Sequence, residues 1–425
     1  ASYTLTLSHD VTGTLTVGSP LAVNLDVPGR HGWLGFTTTA TQTMALSASS
    51  ITTTPSGKSV AMSVYNASGA HVASTSGTST ATLNLTNLPA GTYNVLLVPS
   101  NTSLATMNVT LPNGLGGPLP PDGTSQSFNT SVAGQHGYFT FSANAGDDLG
   151  FALTGLTLTP SSPTQVVLDV KRPSGQSLLS GGQYCYTSTT PGCVHSLRNV
   201  PDTGTYQVYV ELQALQNASY TLTVSHKVTG TLTVGSPLAV SLVVPGRQGW
   251  LSLTSEATQT MALNMSSIAT TPTGKSVSMY VSNASATQIG TTSGTSSGTL
   301  NLPNLAAGTY NVLLRPSNAA LGTMSVTLVN GIGGLLPTDG TSQSYSSTFA
   351  GQNGYFTFQA NAGDDLGLAL TSISLVPASN SFVTYLTYYR ANGSQIASFY
   401  CYPTSVPGCG ATMLNAPDTG TYTLV

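Results

Sequence analysis

The chain repeats itself, and that constrains its fold more than any single motif does. Residues 12–23 read TGTLTVGSPLAV, and the same twelve letters return at residues 229–240, a period of 217 residues. ATQTMAL at 40–46, AGTYNVLL at 90–97 and ANAGDDLG at 143–150 each return at that period. Each long unit divides again. Gly-Thr-Tyr occurs around Tyr93, Tyr206, Tyr310 and Tyr422, and a Gly-x-x-Gly-aromatic marker ends at Trp33, Tyr138, Trp250 and Tyr355. Four modules of roughly 105 residues follow, in the order A-B-A-B.

Inside a module the apolar residues alternate with polar ones, as in Val60, Met62 and Val64, Tyr93, Val95 and Leu97, or Met107, Val109 and Leu111. Period two over short runs bounded by Gly, Pro, Asn and Ser predicts half-buried antiparallel strands. No 3.6-residue stripe is long enough for a three-turn helix. The expected fold is all-β: four tandem jelly-roll-like or Ig-like antiparallel β-sandwiches. The expected boundaries are 10–113 (A), 114–226 (B), 227–330 (A) and 331–425 (B, without its last strand). Gly-Thr-Tyr places a ring near the start of a late strand, in a corner or core role. Residues 113–122 and 330–339 read as short linkers, whereas the B-to-A junction at Lys227 has almost none. Closely spaced, stiff beads are expected.

The two ends do not match these boundaries. The second module closes with ASYTLTVS at 218–225, and the chain opens with ASYTLTLS. Ala1, Ser2, Tyr3, Thr4, Leu5, Thr6, Leu7 and Ser8 therefore read as the last strand of a B module, and residues 1–9 as belonging to a preceding or neighbouring one. No secretory signal is visible at the start, so a processed protein or a piece of a larger one is expected. Two arrangements remain open: a cut from a longer continuous array, or a donor strand that completes the fourth module of the next molecule. Both continue the chain head to tail, and the partner is then the protein itself.

Charged residues are 5% of the chain, with 10 Lys+Arg and 13 Asp+Glu. So few cations make no stripe for nucleic acid. No apolar run approaches the ~20 residues of a membrane-spanning helix. Ser, Thr, Asn and Gln must carry the solvation, and little charge repulsion opposes association.

The four cysteines form two C-x7-C pairs, Cys185 with Cys193 and Cys401 with Cys409, each with Pro-Gly before the second Cys. A turn there brings the ends together, and a local disulfide worth roughly 2–3 kcal/mol is the leading reading. Zinc needs more ligands; His195 follows Cys193, but Ala411 stands in its place in the second copy. Disulfides point to an oxidising, extracytoplasmic compartment.

Other chemistry is thin. His31 and His136 share a marker position with Gln248 and Asn353, which suits a polar turn residue. Gly294-Thr295-Ser296-Ser297-Gly298 matches G-x-S-x-G inside a Ser/Gly/Thr-rich loop, where no nucleophile elbow is expected. Asp147, Asp148, Asp364 and Asp365, with Asp122 or Asp339, are weak calcium candidates against a plain solvated turn. No catalytic constellation, cofactor or other metal is expected, and the chain does not read as an enzyme. Trp33 and Trp250 suit core or inter-module packing, with sugar stacking as the alternative. Sequons at Asn66, Asn84, Asn108 and Asn283 are of a kind that chance supplies in so polar a chain.

The runs GTLTVGSPLAVNLDVPGRHGWLGFTTT, SVAMSVYNASGAHVAST, TLNLTNLPAGTYNVLLVP and ATMNVTL resemble bacterial secreted β-sandwich repeats. They are similar to the pre-peptidase C-terminal type of domain and to tandem copies in large surface proteins, including those with Rhs/YD repeats. The resemblance implies a jelly-roll-like fold, export and a spacer or adhesive role. Gly32-Trp33-Leu34-Gly35-Phe36 replaces the Asp-rich aromatic strand of peptidase-linked members. The expected function is a structural subunit of a bacterial extracellular filament or surface fibre. The alternative is an adhesive or carbohydrate-binding spacer array, with glycans as partner, in a larger secreted enzyme or toxin.

Overall fold

The computed structural model describes residues 2–179, 181–376, 383–402 and 408–425. It is all-β, with largely antiparallel sheets. Among the described residues the helical pieces are two 3-10 turns, Ser100–Thr102 and Ser317–Ala319. No helix among them is long and apolar enough to cross a membrane. The chain divides into two compact units near Lys227 and Val228.

In the first unit, residues 10–113 form two sheets. One has five strands in the order Val11–Thr14, Gly32–Thr38, Gly91–Pro99, Val60–Asn66, His71–Gly77. The other has four, in the order Leu21–Leu25, Leu104–Thr110, Gln42–Thr54, Ala81–Leu88. Alternate residues of both sheets enter one core, including Leu25, Leu34, Leu46, Val64, Val95, Leu97 and Val109. Residues 114–226 repeat the plan. Leu115–Pro118, Gly137–Ala143, Gly204–Leu212, Gln165–Lys171 and Gln183–Tyr186 form the five-stranded sheet. Gln126–Asn129, Asn217–His226, Leu149–Thr159 and Gly192–Leu197 form the four-stranded one. Their core is separate from the first.

In the second unit, residues 228–330 again give sheets of five and four strands. Residues 332–425 give a five-stranded sheet but only a two-stranded second sheet among the described residues, Leu366–Thr371 with Gly408–Met413.

The repeated tyrosine has a corner role. Each Tyr hydroxyl donates to a carbonyl four residues upstream: Tyr93 to Pro89 at 2.9 Å, Tyr206 to Asp202 at 2.8 Å, Tyr310 to Ala306 at 2.9 Å and Tyr422 to Asp418 at 2.7 Å. The rings are buried, and three of them stack on Phe36, Phe141 and Phe358. A large ring is thus held in the core without leaving its hydroxyl unpaired.

The expected linkers are a correction. Residues 113–122 and 330–339 contain the strands Leu115–Pro118 and Ile332–Leu335, and these pair in parallel with Gly137–Ala143 and Gly354–Ala360. Glycine permits the approach: a Cβ at Gly116 or Gly333 would run into the carbonyl oxygen of Tyr138 or Tyr355. A four-residue strand rich in glycine has no alternation to betray it.

Within each unit one joint recurs. The Asn84 side chain donates to the Gly134 carbonyl and accepts from the His136 amide, both at 2.9 Å, while Thr82 donates to the Ala133 carbonyl at 2.6 Å. In the second unit Asn301 does the same with Gly351 and Asn353 at 2.9 Å, and Thr299 with Ala350 at 2.6 Å. Asn84 is therefore a joint residue rather than an open glycan acceptor, because its amide is already engaged on both sides. The shared marker position of His136 and Asn353 is explained by the backbone amide that docks there.

Tyr206→Phe should destabilise residues 114–226 by about 1–3 kcal/mol in urea unfolding. Tyr93→Phe should cost less, because the Tyr206 hydroxyl also accepts from the Asp202 amide at 3.1 Å. Equal costs would contradict this reading of the corner.

Candidate functional site

In residues 114–226 the strand Asn217–His226 is a two-sided strand. It pairs antiparallel with Gln126–Asn129 on one edge and with Leu149–Thr159 on the other. Its inward residues Ala218, Tyr220, Leu222 and Val224 are buried in the core. Tyr220 is opposite Phe128, and Leu222 is opposite Leu153.

Among the described residues of 332–425, counterparts of that strand's neighbours are present and no strand lies between them. Leu366–Thr371 repeats residues 149–154 and pairs with Gly408–Met413 on one side only. Residues 343–346 repeat the sequence position of Gln126–Asn129 but form no strand and are exposed. Leu366, Leu368 and Leu370 are half-buried, whereas their counterparts Leu149, Phe151 and Leu153 are at most 3% exposed. Between these pieces lies a groove of about 480 Å³, lined among others by Gln343, Phe358, Leu366, Leu368, Leu370 and Met413.

The opening segment repeats the sequence of that strand. Residues 2–10 form no strand, and Tyr3, Leu5 and Leu7 are 82%, 86% and 100% exposed. Ala1 lies outside the described residues. At the 217-residue period Tyr3, Leu5 and Leu7 fall on Tyr220, Leu222 and Val224, all within 2% of complete burial. Burying one such side chain is worth about 1.5–3 kcal/mol. Open ladder groups on the groove edge add a demand for a partner strand. At the 217-residue offset the pairs Leu222–Leu153, Val224–Phe151 and Tyr220–Phe128 correspond to Leu5 and Leu370, Leu7 and Leu368, and Tyr3 and Tyr345.

The cysteines pair as read. Cys185 is joined to Cys193 and Cys401 to Cys409, each with Cα atoms 5.6 Å apart. Each bond links an outer strand of the five-stranded sheet to a strand of the second sheet. His195 Nε2 lies 4.0 Å from the Cys185 sulfur. Cys185, Cys193 and His195 are the one cluster among the described residues close enough to share an ion. Its sulfurs are already bonded to each other, so they do not offer thiolates.

The acidic candidates serve turns. Asp147 accepts from the Asn144 amide at 2.8 Å and Asp364 from the Asn361 amide at 2.7 Å. Asp148 and Asp365 accept from the amides of Asn199 and Asn415 at 2.7 Å, and Asp148 also pairs with Lys227. Asp122 and Asp339 accept from the Thr124 and Thr341 amides, which hold both carboxyls below their ordinary range. The Asp10 carboxylate accepts from the His31 backbone amide at 3.0 Å. Burial lowers the His136 imidazole. Gly294 to Gly298 connects two strands of different sheets, with no helix behind Ser296.

Trp33 corrects the core reading. It points to the outer face of its sheet and is 39% exposed, with Tyr65 at 6.4 Å between ring centroids, while Leu34 and Phe36 point inward. Tyr138 is on the equivalent outer face, edge-on to Tyr209 at 5.2 Å, and burial pushes its phenol up to about 12. The groove residues themselves were not singled out from sequence. The signal was there in the 217-residue offset to Phe128, Leu149, Phe151 and Leu153.

No family model matches the chain, and no curated protein matches it. Solved structures give weak likenesses. One is a structure of Sulfolobus turreted icosahedral virus, 12% identical, covering 73% of this chain and 91% of that one, with a TM-score of 0.18. Another is the M60 catalytic domain with two CBM51 domains of Clostridium perfringens ZmpB, 9% identical, covering 64% and 52%, with a TM-score of 0.16. A third is the CUB1-EGF-CUB2 portion of rat MASP-1, 8% identical, covering 49% and 99%, with a TM-score of 0.17. Scores of that size transfer neither fold nor function.

In the single chain, the groove-facing amides of Leu366–Thr371 should exchange with solvent at least ~10-fold faster than the matching amides of residues 149–154. Hydrogen exchange read by mass spectrometry or NMR checks this. Equal protection would mean that the groove edge is already paired.

Proposed function

We propose that the chain is a structural subunit of a bacterial extracellular filament or surface fibre. It consists of four jelly-roll-like β-sandwich modules in the order A-B-A-B, at 10–113, 114–226, 227–330 and 331–425. It continues head to tail through strand completion, either between separate molecules or between consecutive units of one array. One observation carries the proposal. An apolar-alternating segment lies in solvent at residues 2–8, and its sequence is that of a strand buried in the second module, while the fourth module has a groove at that strand's place. The contact uses different surfaces on the two participants, and such contacts build open polymers unless they close into a ring. Two disulfides support an oxidising compartment outside the cytoplasm. The scarcity of charge supports association that does not depend on ion pairs.

A second reading, an adhesive or carbohydrate-binding spacer array in a larger secreted enzyme or toxin, has one observation in its favour. Tyr184 and Tyr186 lie exposed 6.3 Å apart, and Tyr385 and Tyr400 lie exposed 4.8 Å apart. Exposed paired rings suit stacking on sugar faces. Glycan binding by the full chain, lost on Tyr385→Ala, would favour it.

Deleting residues 2–8 should leave the circular dichroism of the chain unchanged and keep it monomeric in sedimentation, where the full chain forms rods visible by electron microscopy. Assembly should change little between about 0.1 and 1 M salt, because Asp365 is the one charged residue among those lining the groove. Unimpaired assembly of the deletion would remove strand completion from the proposal.

A further inference from the structure

We propose that the fourth-module groove selects its strand by class. It takes residues 2–8 of a second copy of this chain, through Tyr3, and refuses strands of the A type. This rests on the strand-completion reading above and adds a specificity determinant to it.

The two module types fill the same place differently. In the A modules the two-sided strand is Leu104–Thr110 or Leu321–Asn330. Its buried methionine, Met107 or Met324, is opposite Val23 or Val240. In the second module the same place holds Tyr220 opposite Phe128. Phe128 and Phe139 lie 4.4 Å apart between ring centroids, and Tyr220 sits 6.1 Å from the first and 6.3 Å edge-on from the second. Gly137 makes the room, since a Cβ there would collide with the Tyr220 hydroxyl. So the niche is a pair of aromatic rings over a glycine, and it is sized for a third ring.

The fourth module has that niche without an occupant from its own described residues. Tyr345 stands at the place of Phe128, Phe356 at that of Phe139 and Gly354 at that of Gly137. Tyr345 and Phe356 are 4.6 Å apart and edge-on, close to the spacing of their counterparts. Tyr345 is 40% exposed and Phe356 is half-buried, as rings with one face uncovered would be. The opening segment supplies a tyrosine at the matching position, Tyr3, where both A-type strands have methionine. A methionine in this niche covers less ring surface and loses ring–ring contact. The hydroxyl of Tyr220 is buried without a hydrogen-bond partner. The niche therefore reads the ring rather than the hydroxyl.

Selection of this kind has a consequence for assembly. An A-type strand that frays from its own module cannot readily take the open groove, so the A-B-A-B order is kept across the joint.

The test uses the full chain and four variants: Tyr3→Phe, Tyr3→Met, Leu5→Arg, and Tyr3→Met combined with Tyr345→Val. Tyr3 and Leu5 are solvent-exposed before assembly, so folding of the single variants is not at stake, and circular dichroism verifies the double one. Sedimentation over a concentration series gives the concentration of half-assembly. Tyr3→Phe should match the natural chain, and Leu5→Arg should stay monomeric. Tyr3→Met should need at least ~10-fold more protein, and Tyr345→Val should recover part of that loss, since it recreates the Val–Met pair of the A modules. If the unsubstituted chain does not assemble, completion between separate molecules falls and takes this inference with it. If Leu5→Arg blocks assembly but Tyr3→Met assembles like the natural chain, strand completion stands and selection by class is overturned. Failure of Tyr3→Phe alongside Tyr3→Met would equally overturn a niche that reads the ring.

Discussion

A strand with neighbours on both edges carries two hydrogen-bond ladders and one row of core side chains, and the rest of a small sandwich is built around it. Asn217–His226 is such a strand. It holds Gln126–Asn129 in its sheet, seals Leu149, Phe151 and Leu153, and packs Tyr220 against Phe128 and Phe139. Among the described residues of 332–425 no strand takes that place. Residues 343–346 belong to no sheet there, Leu366, Leu368 and Leu370 are half-buried, and Tyr345 is 40% exposed. The five-stranded sheet, by contrast, keeps its order, because none of its ladders runs through the missing element. Its corner tyrosine, Tyr422, remains fully buried. The difference between the two copies is thus confined to one sheet.

The same preference for backbone chemistry over charge runs through the molecule. The joint inside each unit is a side-chain amide, Asn84 or Asn301, read by a carbonyl and an amide of the next module's loop. The carboxylates of Asp147, Asp148, Asp364 and Asp365 likewise cap backbone amides. Ion pairs such as Arg30 with Asp26 or Arg390 with Asp418 are solvent-accessible and contribute little. With 5% charged residues, specificity has to come from strand register, ring packing and amide geometry. These are insensitive to ionic strength, as suits a protein proposed to work outside the cell.

Much of this was legible in the sequence because repetition acts as an internal control. Two-residue alternation announced the strands. The return of Gly-Thr-Tyr announced a structural tyrosine, and a C-x7-C spacing repeated with Pro-Gly before the second Cys announced the cysteine pairs. What escaped notice had no periodic signature. Leu115–Pro118 and Ile332–Leu335 are too short and too rich in glycine to alternate, and parallel pairing at a sheet edge demands little of the side chains. Asn84 resembled an ordinary sequon because the groups it binds are backbone atoms about fifty residues away. Trp33 suited core or inter-module packing because an aromatic recurs at that marker as Tyr138, Trp250 and Tyr355, and the strand's pleat turns it away from its own core. The groove was hidden for a different reason: the leucines that line it, Leu366, Leu368 and Leu370, read in sequence as ordinary core residues.

An exposed segment of alternating Tyr, Leu and Leu, or an open strand edge, is also a hazard, since unpaired edges recruit any extended chain. Selection by a ring niche answers that hazard at its source. Backbone ladders alone accept almost any sequence, and the leucine row alone accepts most apolar strands. The place above Gly354, against the touching rings of Tyr345 and Phe356, is the proposed feature that distinguishes the opening segment from Leu104–Thr110 and Leu321–Asn330, which carry methionine where it has Tyr3. Affinity on this reading comes from the ladder and the leucines, while fidelity comes from one ring.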